Sequence, residues 1–207
     1  MFSQLNSLFK RKKSDPISLA YPFILAFGGI IGLVAMTWQA TERITMLKNP
    51  GVDLSCSLSP VVDCTGVLGN KLAAVLGFPN AFLGMIFFAI LATSGLVLLS
   101  GGVFKSWFRH FVMAVSVVLI LFSIWFFSVS LYILGTICVF CVFGWVVSVP
   151  MFWYGLLYYL QNASKKTKKK LARFISFGQN HHFDVVVVVY AVMILMFLVR
   201  FRDFYFG

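Results

Sequence analysis

Charged residues are scarce in this chain, and acidic residues most of all. Of its 207 residues, 11% are charged and only six are acidic, whereas a soluble domain carries roughly 25% charge. The scarcity argues against a soluble fold. Hydrophobic residues make up 60% of the chain and fall into long blocks of about twenty residues, the length at which a helix crosses a hydrocarbon core of about 30 Å. The composition therefore indicates an integral membrane protein.

Five apolar blocks predict five transmembrane helices, over residues 19–40, 80–100, 111–133, 137–159 and 185–199. Because backbone polar groups within lipid must be satisfied inside the segment, the predicted fold class is all-α. The fifth block is short, and its valine run at 185–189 would be typical of a strand in a soluble protein. The first block lacks a small-residue cleavage site, so we expect a retained helix and not a signal peptide.

Basic residues give the expected orientation. A net charge of +11 would suit nucleic acid, but these residues flank the apolar blocks in short loops, so we predict a topology signal and no nucleic-acid partner. Twelve fall on one side by alternation, which we therefore assign to the cytoplasm: Lys10, Arg11, Lys12, Lys13, Lys105, Arg109, Lys165, Lys166, Lys168, Lys169, Lys170 and Arg173. Five fall on the other side: Arg43, Lys48, Lys71, Arg200 and Arg202.

This orientation predicts a multi-pass plasma-membrane protein with its N-terminus in the cytoplasm and its C-terminus outside. The predicted parts are a basic cytoplasmic N-terminus (1–18), a four-helix domain (19–160) with an external loop (41–79), a basic cytoplasmic loop (161–184), a fifth helix (185–200) and an external tail (201–207).

All four cysteines fall on the predicted external side. Cys56 and Cys64 lie in the first external loop, and Cys138 and Cys141 begin the fourth helix. That compartment permits disulfides. If the cysteines were ordinary buried apolar residues, their placement at one end of the bundle would be a coincidence.

The pair Cys138 and Cys141 favours redox chemistry. At this spacing the two side chains share a helical face and can close a disulfide across the first turn. A helix N-terminus stabilises a thiolate, so we expect the pKa of at least one thiol to be lowered. A static disulfide or half of a metal site are alternatives. Seven residues separate Cys56 from Cys64, which is not a usual zinc-ligand spacing, so no metal site is predicted.

The first external loop predicts a lid. Residues 65–78 indicate a short amphipathic helix that stops at Gly77, ahead of Pro79. It is too short to span and would lie on the bundle as an outer half-helix. Asn80 opens the second membrane helix, where it would serve as an N-cap.

Taken together, the loop cysteines, the short helix, the stretch GFPNAFLG (77–84) and the CxxC at the fourth helix resemble the vitamin K epoxide reductase family. The likeness covers residues 19–159 and is closest to the bacterial branch, which transfers electrons from thiols to a membrane quinone. The other bacterial disulfide-to-quinone family has its CxxC in the first external loop, the reverse of the order here. The resemblance implies a four-helix bundle around a quinone site, a fifth helix and an extracytoplasmic half-helix lid.

The resemblance also implies roles for the site residues. Cys138 and Cys141 would be the active-site pair, with Cys141 facing the quinone. Cys56 and Cys64 would form the shuttle pair, in which Cys64 exchanges with Cys138 and Cys56 meets the partner. Asn80 matches the family asparagine that hydrogen-bonds a quinone carbonyl. Aromatic residues expected to line the quinone pocket are Phe82, Phe87, Phe140 and Trp145.

The implied function is a thiol:quinone oxidoreductase that reoxidises a secreted thioredoxin-fold (DsbA-like) protein and reduces menaquinone or ubiquinone. The partner is expected to act in trans, because many bacterial members carry a fused thioredoxin-like domain and this chain ends in RFRDFYFG. Trp145 stands where animal members have a tyrosine, and Gly69 and Asn70 where many members have a serine. The alternatives are an epoxide reductase, a non-enzymatic metal carrier and a structural protein with static disulfides.

Overall fold

The computed structural model describes residues 16–52 and 54–205, and over those ranges the chain is helical without any strand. Lys10 to Lys13 and Asp53 lie outside the described residues. The helices are α1 (Pro16–Lys48), α2 (Cys64–Gly69), α3 (Asn80–Leu99), α4 (Ser106–Ser128), α5 (Val139–Gln161), α6 (Lys165–Lys170), α7 (Ala172–Asn180), α8 (His182–Arg200) and α9 (Arg202–Tyr205). A 3₁₀ turn covers Lys71–Ala74, and a π-helical segment, Val129–Leu134, continues α4.

Five helices are long and apolar enough to cross a membrane: α1, α3, α4 with its π segment, α5 and α8. The prediction of an all-α membrane protein with five spans is thus confirmed. The fifth span begins at His182, so it has 19 residues and is long enough to cross. Its valine run is helical, because in lipid a lone strand would leave its backbone groups unpaired.

The first helix is longer than predicted. Its expected end was residue 40, but α1 continues to Lys48 and includes Glu42 and Arg43. Glu42 accepts a hydrogen bond from the Trp38 indole (3.3 Å) and another from the Ser55 hydroxyl, which ties the helix end to the loop. Hydropathy predicts which residues lie within the hydrocarbon, but it does not predict the residue at which the helix ends.

Four spans form the bundle, and the fifth lies at its side. α1 packs along both α3 and α5, and it approaches α3 most closely where Gly29 faces the Ala92 backbone and Gly95 of α3 faces Ala26. A Cβ atom on Gly95 would lie 2.3 Å from the Ala26 nitrogen, so only glycine permits this approach. In α8 only Val186 is buried. The predicted arrangement of four helices plus one is therefore confirmed.

The lid is broken where a single helix was predicted. α2 ends at Gly69, and Asn70 adopts an extended backbone (φ −77°, ψ 149°) whose side chain accepts a hydrogen bond from the Leu72 N–H at 2.9 Å. The 3₁₀ turn follows, and Gly77 ends the segment at φ +84°, as predicted. The basic loop after α5 likewise contains two short helices, α6 and α7, instead of irregular chain.

Candidate active site

The structure brings the four predicted cysteines to one end of the bundle. Cys56 and Cys64 form a disulfide, and Cys138 and Cys141 are buried free thiols. The Cys64 and Cys138 Sγ atoms are 3.1 Å apart, although the two residues are 74 positions apart in the sequence. The Sγ atoms of Cys56, Cys64 and Cys138 all lie within 4.8 Å of one another. A disulfide and a thiol pair are therefore in position for exchange.

Two hydrogen bonds dock the segment before the CxxC onto the loop that carries Cys64. The Ile137 N–H donates to the Val61 carbonyl at 2.9 Å, and the Thr136 hydroxyl donates to the Asp63 carbonyl at 3.2 Å. Asp63 directly precedes Cys64, and Thr136 lies two positions before Cys138. These bonds fix the register in which Cys64 faces Cys138.

Asp63 is the N-cap of α2, the helix that begins with Cys64. Its carboxylate accepts hydrogen bonds from the Thr65 N–H (2.9 Å), the Gly66 N–H (2.8 Å) and the Ser57 hydroxyl (2.5 Å). Partial burial favours the neutral acid, but the hydrogen bonds from Ser57, Gly66 and Thr65 outweigh it, so the pKa of Asp63 lies below its ordinary value. The ionised carboxylate therefore fixes the start of α2.

The CxxC lies at the start of α5, as the sequence predicted, with Cys138 at the N-cap just ahead of the membrane span. A hydrogen bond from the Cys141 thiol lowers the pKa of Cys138, burial opposes this, and the N–H groups of Cys141 and Phe140 add to the lowering. The pKa of Cys138 is thus below its ordinary value. The thiol that faces Cys64 is the one that the helix start stabilises as a thiolate.

The fifth helix also contacts this end of the bundle, which the sequence did not indicate. The π segment before the CxxC ends at Gly135, whose φ of +67° turns the chain toward Cys138. The Arg200 Nε donates to the Leu131 carbonyl of that segment at 3.0 Å. Phe201 is buried in the same apolar cluster as the cysteines. The end of α8 therefore supports the chain that leads to the CxxC.

A cavity of about 490 Å³, counted with its open mouth, lies beside Cys141. Its walls come from the four bundle helices and the 3₁₀ turn, and its lining residues are Met36, Gln39, Ala73, Asn80, Ala81, Gly84, Phe88, Leu119, Phe122, Ser123, Phe126, Cys141, Gly144 and Trp145. Most are apolar or aromatic, and a few, such as Gln39, Asn80 and Ser123, carry hydrogen-bonding side chains. This lining fits a flat ring with polar carbonyls, such as a quinone.

Gln39 is the residue of this site that the sequence reasoning missed. It is 6% exposed, and its Nε2 donates a hydrogen bond to the Cys141 Sγ at 3.2 Å. The sequence does contain one indication of it, because Gln39 is a carboxamide within an apolar span, one residue before the predicted end at residue 40. So close to the end, such a residue is easily attributed to the membrane surface.

Asn80 lines the cavity as predicted, but its amide already has two partners on the lid. Its Nδ2 donates to the Leu72 carbonyl at 2.8 Å, and its Oδ1 accepts from the Val75 N–H at 3.1 Å. The expectation that Asn80 caps α3 is wrong, because Asn80 is the first helical residue and Pro79 is at the cap. A carboxamide nitrogen carries two hydrogens, so one remains for a ligand.

Of the four aromatic residues predicted to line the pocket, only Trp145 does so. Phe82 is not among the lining residues, since the lining face of α3 carries Ala81, Gly84 and Phe88, and successive helical residues point about 100° apart. Its contact with a quinone stays a prediction. Phe87 is also absent from the lining. Phe140 stacks on Trp38 instead, with ring centroids 5.8 Å apart.

A helical membrane bundle with a disulfide in contact with a thiol pair, beside an apolar cavity, defines a membrane oxidoreductase that acts through cysteines. The model of the vitamin K epoxide reductase family matches residues 23–156, and the chain belongs to that family. Its activity is therefore of the quinone-linked thiol oxidoreductase kind. No curated protein sequence matches the chain. The match ends before α8, so the contacts of Arg200 and Phe201 lie outside the shared region.

Proposed function

We propose that this protein reoxidises a secreted thioredoxin-fold (DsbA-like) protein and passes the electrons to menaquinone or ubiquinone, which supports disulfide formation in exported proteins. The observation that carries the proposal is the chain of contacts from the Cys56–Cys64 disulfide through Cys138 to Cys141. The 3.1 Å separation of the Cys64 and Cys138 sulfurs is its central link. Cys141 at its end lies on the cavity wall.

The first proposed step is exchange with the partner. A thiolate of the reduced partner attacks the Cys56 sulfur, which breaks the Cys56–Cys64 bond and leaves Cys64 as a thiolate. The partner's second thiol then displaces Cys56. The partner leaves as a disulfide, and the loop pair holds two electrons.

The second proposed step is exchange within the chain. The Cys64 thiolate attacks Cys138 of a Cys138–Cys141 disulfide and releases Cys141, and Cys56 then resolves the Cys64–Cys138 bond. The reverse reaction uses the same sulfur contact, so its geometry serves both directions. The arrangement in the structure, with the loop pair oxidised and the CxxC reduced, is the one that follows this step.

The third proposed step oxidises the CxxC pair to a disulfide. A bound quinone supplies a two-electron, two-proton acceptor. Cys141, on the cavity wall, faces that acceptor, while Cys138 forms the new bond to the Cys141 sulfur. Asn80 and Trp145 are proposed to orient the ring, and Asn80 keeps the lid on the cavity through its two bonds to the lid backbone. The apolar lining excludes water from the thiol.

The proposal places the catalytic unit at residues 19–160 of a plasma-membrane protein, with the cysteines on the outer face. The basic residues after α5 support this orientation, because cytoplasmic loops carry the excess of lysine and arginine. An oxidising compartment for the Cys56–Cys64 disulfide is consistent with it.

The test is quinone reduction by the purified chain, with a reduced thioredoxin-fold protein and a soluble ubiquinone or naphthoquinone analogue. We expect wild type to bleach the quinone absorbance, and Cys141→Ala to lose turnover by at least about 100-fold because the pair cannot close. The matched control is Thr41→Val, an exposed residue of α1 whose hydroxyl bonds the Thr37 carbonyl.

Two results would contradict the proposal. One is equal turnover in wild type and Cys141→Ala. The other is no turnover in wild type while all four cysteines remain reduced and a soft metal ion co-purifies. That second result would favour a metal carrier, for which three sulfurs within 4.8 Å of one another provide a ligand set.

A further inference from the structure

We propose that Gln39 is a catalytic residue whose side-chain amide stabilises negative charge on the Cys141 sulfur while the electrons of the CxxC leave for the acceptor. The inference rests on the proposed function, in which Cys141 is the sulfur that faces the quinone. It adds a hydrogen-bond donor from the first helix to a reaction otherwise carried by the cysteines.

The contact joins two elements far apart in sequence. Gln39 lies on α1 and Cys141 on α5, 102 residues later, and the Nε2–Sγ distance is 3.2 Å. Both side chains are buried, and both line the cavity. The close packing of α1 at Gly29 and Gly95 fixes the helix that carries the amide. The donor therefore points at the sulfur that also faces the ligand space.

Among the polar side chains around the cavity, the structure gives this role to Gln39 and not to its neighbours. Asn80 bonds the Leu72 and Val75 backbone, and neither of these bonds reaches the Cys141 sulfur. Ser123 pairs with the Ser148 hydroxyl at 3.0 Å. Among the described residues, the hydrogen bonds to the Cys141 sulfur thus include a neutral side-chain donor from outside the CxxC.

The charged and titratable groups near Cys141 explain why a neutral donor matters for the position of the negative charge. On α5 the neighbour of Cys141 is Cys138, which the helix start favours as the thiolate. On α1 the nearest carboxylate is Glu42, which is held by Trp38 and Ser55. For Cys141 to react, the proton shared by the cysteine pair must sit on Cys138 and the charge on Cys141. An N–H aimed at Cys141 favours that arrangement.

The step balances with the acceptor that the proposed function already names. Cys138 and Cys141 together lose two electrons and form one S–S bond. The acceptor gains two electrons and two protons, one from the thiol–thiolate pair and one from solvent. Gln39 itself gains and loses nothing, because it only donates a hydrogen bond.

The experiment compares quinone turnover in wild type, Gln39→Leu and the control Thr41→Val. Leucine keeps most of the side-chain volume and removes the donor. We expect kcat for quinone reduction to fall about 10- to 100-fold, the effect of losing a hydrogen bond to a charged group. The kcat/KM for the reduced thioredoxin-fold protein should stay unchanged, since that protein reacts with the loop pair in a separate step, and its KM should therefore fall together with kcat. Thr41→Val should match wild type.

A second variant separates charge stabilisation from packing. Gln39→Glu has the same shape, but an ionised carboxylate repels a thiolate, while the protonated acid can donate to it. We expect the turnover of Gln39→Glu relative to wild type to rise as the pH is lowered through the range in which the new carboxyl group is protonated. A purely structural role would leave that ratio independent of pH.

A third measurement needs no quinone and keeps the two proposals distinguishable. In a Cys138→Ser background, the rate at which a small alkylating reagent modifies Cys141 reports how readily that thiol ionises. Gln39→Leu should slow it about tenfold, with the thermal unfolding midpoint unchanged. If wild type shows no quinone turnover but Gln39→Leu still slows the alkylation of Cys141, the proposed function is contradicted and the role of Gln39 is not. Equal alkylation and equal kcat in wild type and Gln39→Leu would overturn the role of Gln39.

Discussion

Asp63 combines a structural and a positional task in one residue. It caps α2 through the N–H groups of Thr65 and Gly66, and its own backbone carbonyl accepts the Thr136 hydroxyl that docks the CxxC segment. The residue that follows it is Cys64. The alignment of the two reacting sulfurs therefore depends on a cap that works best when it is ionised.

Replacing this cap should cost stability in a pH-dependent way. Asp63→Ala should lower the free energy of unfolding by about 1 kcal/mol at pH 7, the usual effect of losing an N-cap. Because the folded-state pKa of Asp63 is lowered, its ionic contribution is present above the unfolded-state pKa and is lost as pH falls through the folded value. The gap between wild type and Asp63→Ala should narrow below about pH 4.

Thermal unfolding at pH 7 and pH 3 measures this difference. Asp63→Ser is the control, since a hydroxyl can cap the helix without a charge. It should recover most of the stability at pH 7 and show little of the pH dependence. A gap for Asp63→Ala that is the same at both pH values would contradict the assignment.

At the scale of elements, the part of the chain that leads to the CxxC is held from two sides. The loop docks on it through Val61 and Asp63, and α8 reaches it through Arg200 and Phe201. π-helical turns occur often at functional sites, where the extra residue re-aims side chains. Here the π segment stands between α4 and Gly135, and the fifth helix holds it.

Removing the contact from the fifth helix should loosen this segment. Arg200→Ala should lower the free energy of unfolding by about 1 kcal/mol, because it deletes the hydrogen bond to the Leu131 carbonyl. It should also speed alkylation of the buried Cys138. Arg200→Lys keeps a charged donor, so its stability and its alkylation rate should lie between those of wild type and Arg200→Ala. Lys71→Ala removes a charge elsewhere and should leave both measurements unchanged; an equal effect from it would contradict a local role of Arg200.

Elements differ in how far the sequence could predict them. Apolar runs located all five spans, because bilayer thickness fixes the length of a span whatever its neighbours are. Helix ends were less predictable, as α1 and the lid show, since local capping by residues such as Asn70 decides them. The contacts of Gln39 and Arg200 join segments 102 and 69 residues apart, so no local pattern indicates them. The absence of Phe82 from the cavity lining has the same cause, because composition does not indicate which face of a helix points into a cavity.

At the scale of the whole molecule, the expected orientation separates a redox end from a basic end. The cysteines and the lid lie at one end of the bundle, and the lysine-rich α6 and then α7 follow α5 at its other end. Phe174 of α7 packs edge-on against Trp153 of α5, with centroids 6.0 Å apart, so the basic segment lies against the bundle.

Labelling with a membrane-impermeant maleimide should reveal this orientation. The four native cysteines are buried, so the native chain can serve as background. Leu58→Cys, at a loop position that is 73% exposed, should react in intact cells. Lys169→Cys, in the exposed basic helix, should react only after the cells are permeabilised. The reverse pattern would overturn the proposed topology.

The unequal packing of the bundle predicts where a ligand enters the cavity. α1 is locked to α3 by glycines at backbone contact, whereas α3 and α4, which form two of the cavity walls, touch only sparsely. Because both helices are candidate membrane spans, we expect an apolar ligand to enter through this weaker seam, from within the bilayer and not from water. Its effective concentration is then the number of ligand molecules per lipid. Diluting a suspension of proteoliposomes with buffer leaves that number, and the rate per enzyme, unchanged.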